Sequence, residues 1–183
     1  MARRHPEGRL VSQDTSVNSF LTEFQEESDR AAAVLGPAML DELLKELLDA
    51  TFVSREVGTK LTGKMGPIST FSARIALAHA IGLISEPEAK DLHRMRDIRN
   101  KFAHRLHGLS FNTQTIRDSC ENFALIEDSR QVASNQGFFE DYPRHARATF
   151  NLEVTLMVSK LKARIAKATR VKAANLQLNE TAA

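Results

Sequence analysis

The sequence predicts an all-α protein: a single-domain bundle of about six helices with a long C-terminal helix. Three observations carry that reading. The 183 residues suit one domain, large enough to bury a core without disulfides or a structural metal. Gly (8) and Pro (5) are scarce, Trp is absent and Tyr occurs once, too few turn-forming and aromatic residues for a sandwich or barrel. Apolar residues recur at helical spacing over most of the chain. A composition 42% apolar, with 26% charged in near balance, is globular rather than disordered, and a formal net charge of +2 selects no class of partner.

Residues 1–16 are polar and aperiodic and read as a flexible N-terminal tail, with the helical domain over 17–172 and a flexible C-terminal tail over 173–183. Phe20, Phe24, Ser28, Ala31 and Leu35 recur at spacings of 4, 4, 3 and 4, so they share one helical stripe. Gly36-Pro37 interrupts it, and Pro37 suits the first turn of a second helix, Ala38 to Phe52, whose leucines form a broad buried face. Gly58, Gly63, Gly66 and Pro67 mark residues 53–69 as a loop. A third helix runs from Thr70 to Leu83. Ser85 and Glu88 have capping-box spacing, with Pro87 in the first turn, and open a fourth helix that reaches Leu106 before Gly108. A fifth spans Thr113 to Ile126, and a polar stretch follows with a turn at Asn135-Gln136-Gly137. In the sixth helix, Arg144 to Lys172, Phe150, Val154, Met157, Leu161, Ile165 and Ala168 repeat at 4, 3, 4, 4 and 3, close to a coiled-coil seam.

The N-terminus lacks the apolar run of a secretory signal, and no stretch approaches the ~18 apolar residues of a membrane span. A cytoplasmic location without a membrane partner is the expectation. The single Cys120 cannot form an intrachain disulfide and has no companions for a thiolate zinc site, so no metal and no cofactor is called for.

Two motifs fail on context. Gly58-Thr-Lys-Leu-Thr-Gly63-Lys64 fits a phosphate-binding loop until Met65 stands where a magnesium-binding hydroxyl belongs, and a helix rather than a strand precedes it. Residues 74–96 have the outline of a helix-turn-helix, yet the second helix opens on Glu86-Pro87-Glu88, which would face phosphates with negative charge. The sixth helix is basic without an interleaved aromatic. Lys160, Arg164 and Lys167 fall on one flank of its seam, where they suit either a solvated helix C-terminus or non-specific phosphate contacts.

The fourth helix offers the chemistry. Leu92, Met95, Arg99, Phe102 and Leu106 share one stripe, which turns Arg99 towards the core, and in the third helix Arg74 lies among apolar directions. A buried guanidinium needs a carboxylate or several carbonyls, and Asp29, Glu27 and Glu42 are the candidates, with Arg74 and Asp29 read as structural buried charge. His93, Asp97, Asn100 and His104 form a polar flank at spacings of 4, 3 and 4, without a third ligand to fix a metal. Arg99 and His104 are five apart, about 140° around an ideal helix, so a cooperating pair predicts a symmetric dimer.

Phe20-Leu-Thr-Glu-Phe-Gln-Glu-Glu-Ser-Asp-Arg30, Ala38-Met-Leu-Asp-Glu-Leu-Leu44, Gly66-Pro-Ile-Ser-Thr-Phe-Ser-Ala-Arg-Ile75, Leu83-Ile-Ser-Glu86 and Ile98-Arg-Asn-Lys-Phe-Ala-His104 together resemble the mannitol operon repressor family over roughly residues 20–125. The resemblance implies an all-helical fold and negative regulation of sugar-alcohol uptake genes. With no DNA-reading motif, it implies a regulator that acts through a protein partner. Arg99-Asn-Lys-Phe-Ala-His104 also resembles the motif of HEPN domains, an Arg followed by a polar residue and, a few positions on, a His. That resemblance implies a metal-independent endoribonuclease site across a homodimer: Arg99 on the scissile phosphate, His104 handling the proton, Asn100 orienting them, and RNA as the partner. The reading taken is a regulator acting through protein contacts. The ribonuclease is the alternative, and phosphate binding by Lys160, Arg164 and Lys167 is a third.

Overall fold

In the computed structural model, residues 20–105, 107–127 and 145–170 are described. The helices are α1 (20–26), α2 (Asp29–Thr51), α3 (Arg55–Thr62), α4 (Phe71–Ala80), α5 (Glu86–His104), α6 (Gln114–Glu121), α7 (124–127) and α8 (Ala146–Lys167). No strand occurs among the described residues. The two tails, Leu106 and the turn at 135–137 lie outside them.

The long helices set the frame. Arg30 in the first turn of α2 reaches the carbonyls of Phe102 and Arg105, so α2 and α5 run antiparallel. Arg164 near the end of α8 reaches Glu88 in the first turn of α5, so α8 runs parallel to α2. The short helix α4 packs against α2 and α5, while α6 lies on α8 and α5. The bundle therefore has two poles: one holds the starts of α2 and α8 with the end of α5, the other the reverse. Between them Leu40, Leu44, Leu92, Met95, Val154 and Met157 are fully buried. Phe150 is the hub of an aromatic cluster, its ring centroid 5.0 Å from Phe111, 6.4 Å from Phe123 and 6.5 Å from Phe24. The seam of α8 is thus spent inside the bundle, chiefly against α2.

Helix boundaries differ from expectation where packing overrides local signals. The predicted break at Gly36-Pro37 is absent, and α2 runs through both residues. A Cβ on Gly36 would sit 3.0 Å from Val154 Cγ2 and 3.2 Å from Phe24 Cε2, so the glycine lets α2 approach its neighbours, and both residues are buried. The break comes instead at Ser28, whose hydroxyl accepts from the Ala31 N–H at 3.2 Å. The predicted loop over 53–69 contains α3, opened by the Ser54 side chain accepting from Val57 N–H. Its Gly58 is a contact residue, since a Cβ there would fall 2.5 Å from Phe52 Cδ2. The predicted fifth helix divides at Asn122 into α6 and α7.

Candidate functional site

Helix α5 is built as expected at its start. Both the Ser85 N–H (2.8 Å) and its hydroxyl (3.0 Å) donate to Glu88 Oε2. Its buried stripe is Glu88, Asp91, Met95, Ile98 and Phe102, at spacings of 3, 4, 3 and 4. This corrects the expectation for Arg99, which is exposed. The cause is the shortness of α4. Arg96 donates to Ser72 Oγ at 2.7 Å, in the first turn of α4, and Arg99 lies one turn further on, where α4 no longer covers α5. Arg99 makes a 3.4 Å contact with Asn100 Oδ1. His104 is exposed, and no contact joins it to Arg99 or Asn100 within the described residues. The other histidine of that flank, His93, is held below the usual imidazole range by burial and by Arg96, with Asp97 opposing. Among the described residues no three His, Cys, Asp or Glu side chains converge as metal ligands. Burial pushes the Cys120 thiol up to about 12, which leaves it unreactive.

Arg74 is enclosed at 6% exposure. Its partner is Asp41 at 2.6 Å, not Asp29, Glu27 or Glu42, and it also donates to the carbonyls of Thr62 (3.0 Å) and Ile68 (3.2 Å). Burial raises the Asp41 carboxyl, and the Arg74 guanidinium works against that rise. Asp29 does other work. It is only half-buried, accepts from the Phe111 N–H at 2.9 Å and pairs with Arg147 at 3.4 Å. Arg147 then donates to the carbonyls of Phe24 and Glu27 and lies 5.4 Å from the Phe111 ring, so it ties α8 to the α1–α2 corner.

The basic flank of α8 is divided. Arg164 (2.9 Å) and Lys160 (3.4 Å) converge on Glu88 Oε1, while Lys167 lies beside a cavity of about 330 Å³ with Leu47, Gly82 and Leu83. Burial opposes the charge of Glu88, but Arg164 and Ser85 outweigh it and hold the carboxyl down to about 2. One turn along α5, Asp91 is fully buried; its Oδ2 accepts from the N–H groups of Ala124 (2.9 Å) and Leu125 (3.2 Å) and so caps α7. Glu153 of α8 faces it, also fully buried, with the Ile126 backbone N–H the donor that favours its charged form. Burial first and Asp91 second push the Glu153 carboxyl up to about 9. It is therefore a protonated acid at neutral pH, able to donate to Asp91. The sequence reading has Glu88 only as a capping residue and includes neither Asp91 nor Glu153, although Phe150, Glu153 and Met157 are spaced 3 and 4 apart, on the buried side of the helix.

Comparison with known proteins gives this geometry a family. The family model for the mannitol repressor matches residues 12–144, ending just before α8 opens. No curated protein matches at a significant level. Among solved structures, a chain in the X-ray structure of the MtlR–HPr complex from Escherichia coli shares the fold, with a TM-score of 0.60 and 18% identity over 78% of this chain and 98% of that one. The family match spans most of the sequence, α1 to α7 included, and the chain belongs to the mannitol repressor family.

Proposed function

We propose that this chain is a cytoplasmic transcriptional regulator of the mannitol-repressor type. It works by contact with a regulatory protein, HPr or a protein of its kind, rather than by reading DNA bases. The observation that carries this is the family match over residues 12–144. The structural neighbour was solved in a complex with HPr, which gives the partner its chemistry. Two features of the molecule support a protein contact over base reading. The second helix of the α4–α5 pair presents Glu86 at its start, where a recognition helix meets phosphates, and its next acid, Glu88, is buried against α8. Val53, just after α2, Val57 in α3 and Ile81, just after α4, are exposed large apolar side chains of the kind a protein contact covers. No helix of the described residues is long and apolar enough to cross a membrane.

Titration calorimetry of the purified chain with HPr tests the proposal: a saturable complex is expected, and heat no greater than dilution would sink it. With the α8 seam spent inside the bundle, a homodimer needs another face, and light scattering of the free chain gives the stoichiometry.

A further inference from the structure

The outward face of α2 carries Glu42, Lys45, Glu46 and Asp49 at spacings of 3, 1 and 3, which places them on one side of the helix. With residues of α3 and Arg170, beyond the end of α8, they line a cleft of about 600 Å³. That volume suits a small molecule. Its walls do not suit an apolar one: among the lining residues only Ala50 is apolar, and the others are charged side chains and Thr59.

The charges of the cleft are unevenly answered. Lys45 holds Asp49 at 3.3 Å, and Asp49 also accepts from the Thr62 hydroxyl at 2.8 Å. Lys162 reaches Glu46 at 3.6 Å, and next to Arg55 the carboxylate of Glu56 is taken by Lys60 at 2.7 Å. Lysines thus answer three carboxylates. Arg55, the first residue of α3, and Arg170 are both exposed and are left without an ion pair among the described residues. Glu42 is left likewise. The Thr59 hydroxyl donates to the Arg55 carbonyl at 2.9 Å, so its lone pairs face the cleft as acceptors.

We propose that this cleft binds the phosphate monoester of a small polyhydroxylated molecule, a sugar or polyol phosphate. The site goes beyond the protein-contact reading and does not depend on it. Guanidinium groups take phosphate oxygens two at a time, and two of them match the near-dianion that a monoester is at neutral pH. Glu42 and Thr59 supply acceptors, which is what the hydroxyls of the ligand body require. The same Glu42 selects against other anions. A nucleic acid or acidic peptide would bring further negative charge against it, whereas a monoester ends in hydroxyls that a carboxylate welcomes.

Calorimetric titration of the full chain at low salt tests the cleft, with D-glucitol 6-phosphate, D-glucose 6-phosphate and glycerol 3-phosphate as probes beside inorganic phosphate. At least one ester should bind at a single saturable site, about tenfold or more tighter than inorganic phosphate. Arg55→Gln and Arg170→Gln should each weaken that ester by about tenfold or more, while Arg117→Gln, an exposed cation of α6, should stay within about twofold of wild type. Glu42→Ala should weaken the ester and leave inorganic phosphate as tight or tighter, a split that a mere change of local charge would not produce. Circular dichroism checks each fold, and the two cleft arginines stand on different elements, so either variant serves if the other unfolds. The proposal is overturned if no ester gives heat above dilution, if inorganic phosphate binds as tightly as every ester, or if Arg117→Gln loses as much as the cleft variants. Tighter binding of a phosphopeptide or an RNA oligonucleotide overturns it too. HPr titrated against the same variants succeeds or fails separately.

Discussion

Arg74 in α4 and Glu153 in α8 are both ionisable groups shut inside the bundle, at 6% and 0% exposure, and they are accommodated in opposite ways. Around Arg74 the chain assembles a carboxylate and two strong carbonyl acceptors, which suits a group that cannot give up its proton. Around Glu153 it leaves an apolar enclosure with another carboxylate, Asp91, and burial first and Asp91 second make the group hold its proton up to about pH 9. Glu88 completes the contrast. It is as buried as Glu153 and only one turn from Asp91, yet Arg164 and Ser85 hold it near 2. Burial is the first influence on both carboxyls and pushes each up; Asp91 adds to the rise at Glu153, whereas Arg164 and Ser85 reverse it at Glu88.

The comparison can be broken most severely at Arg74. Arg74→Met leaves Asp41 and the two carbonyls without their donor, and chemical denaturation should show a loss of about 3–5 kcal/mol. A loss below about 1 kcal/mol would mean that water replaces the guanidinium without penalty. Glu88→Ala should come next, at about 2–3 kcal/mol, because it strands Arg164, whose Nη1 has no hydrogen-bond partner among the described residues, and removes the cap on Ser85 N–H. The stabilising charge of Glu88 is fully present above its ordinary value of 4.5 and is lost as pH falls towards about 2.

Glu153 tilts the stability curve the other way. Its proton is bound in the folded state and released in the unfolded one between 4.5 and about 9, so its contribution declines as pH rises through that window. Glu153→Gln keeps a neutral donor facing Asp91. It should flatten the decline and raise stability at pH 8 by roughly 1–3 kcal/mol, read as a shift in thermal midpoint. Parallel pH profiles for the two proteins would show that Glu153 is not the titrating group. The smallest effect belongs to Arg99, whose exposed side chain should make Arg99→Ala neutral within about 0.5 kcal/mol. A midpoint drop as large as that of Arg74→Met would return Arg99 to the core.

These residues also show where the sequence is legible. The starts of α4 and α5 are marked by Thr70, Ser85 and Glu88, and the buried face of α8 by Phe150, Val154, Met157 and Leu161, because caps and apolar spacing are local properties. Arg99 is misplaced by the same reasoning. A stripe marks which directions can be covered, but the length of a neighbouring helix decides how far the cover extends, and α4 has only ten residues. Gly58 reads as a loop residue because its reason for being glycine is the Phe52 ring against it. Glu153 and Asp91 sit at apolar positions of two stripes, where a polar letter looks like an interruption rather than a contact. The family, by contrast, is legible throughout, since its segments lie in order along the matched residues.

The packing of α8 has a consequence for how the protein is made. Phe150, Val154 and Met157 fill the space between α2 and the aromatic cluster, and the helix that carries them is the last in the described chain. A ribosome that has translated α1 to α7 has therefore produced the other described helices and left the slot for Phe150 open. Until α8 emerges, the apolar faces of α2 that it covers remain wet, and the core stays open to non-native contacts.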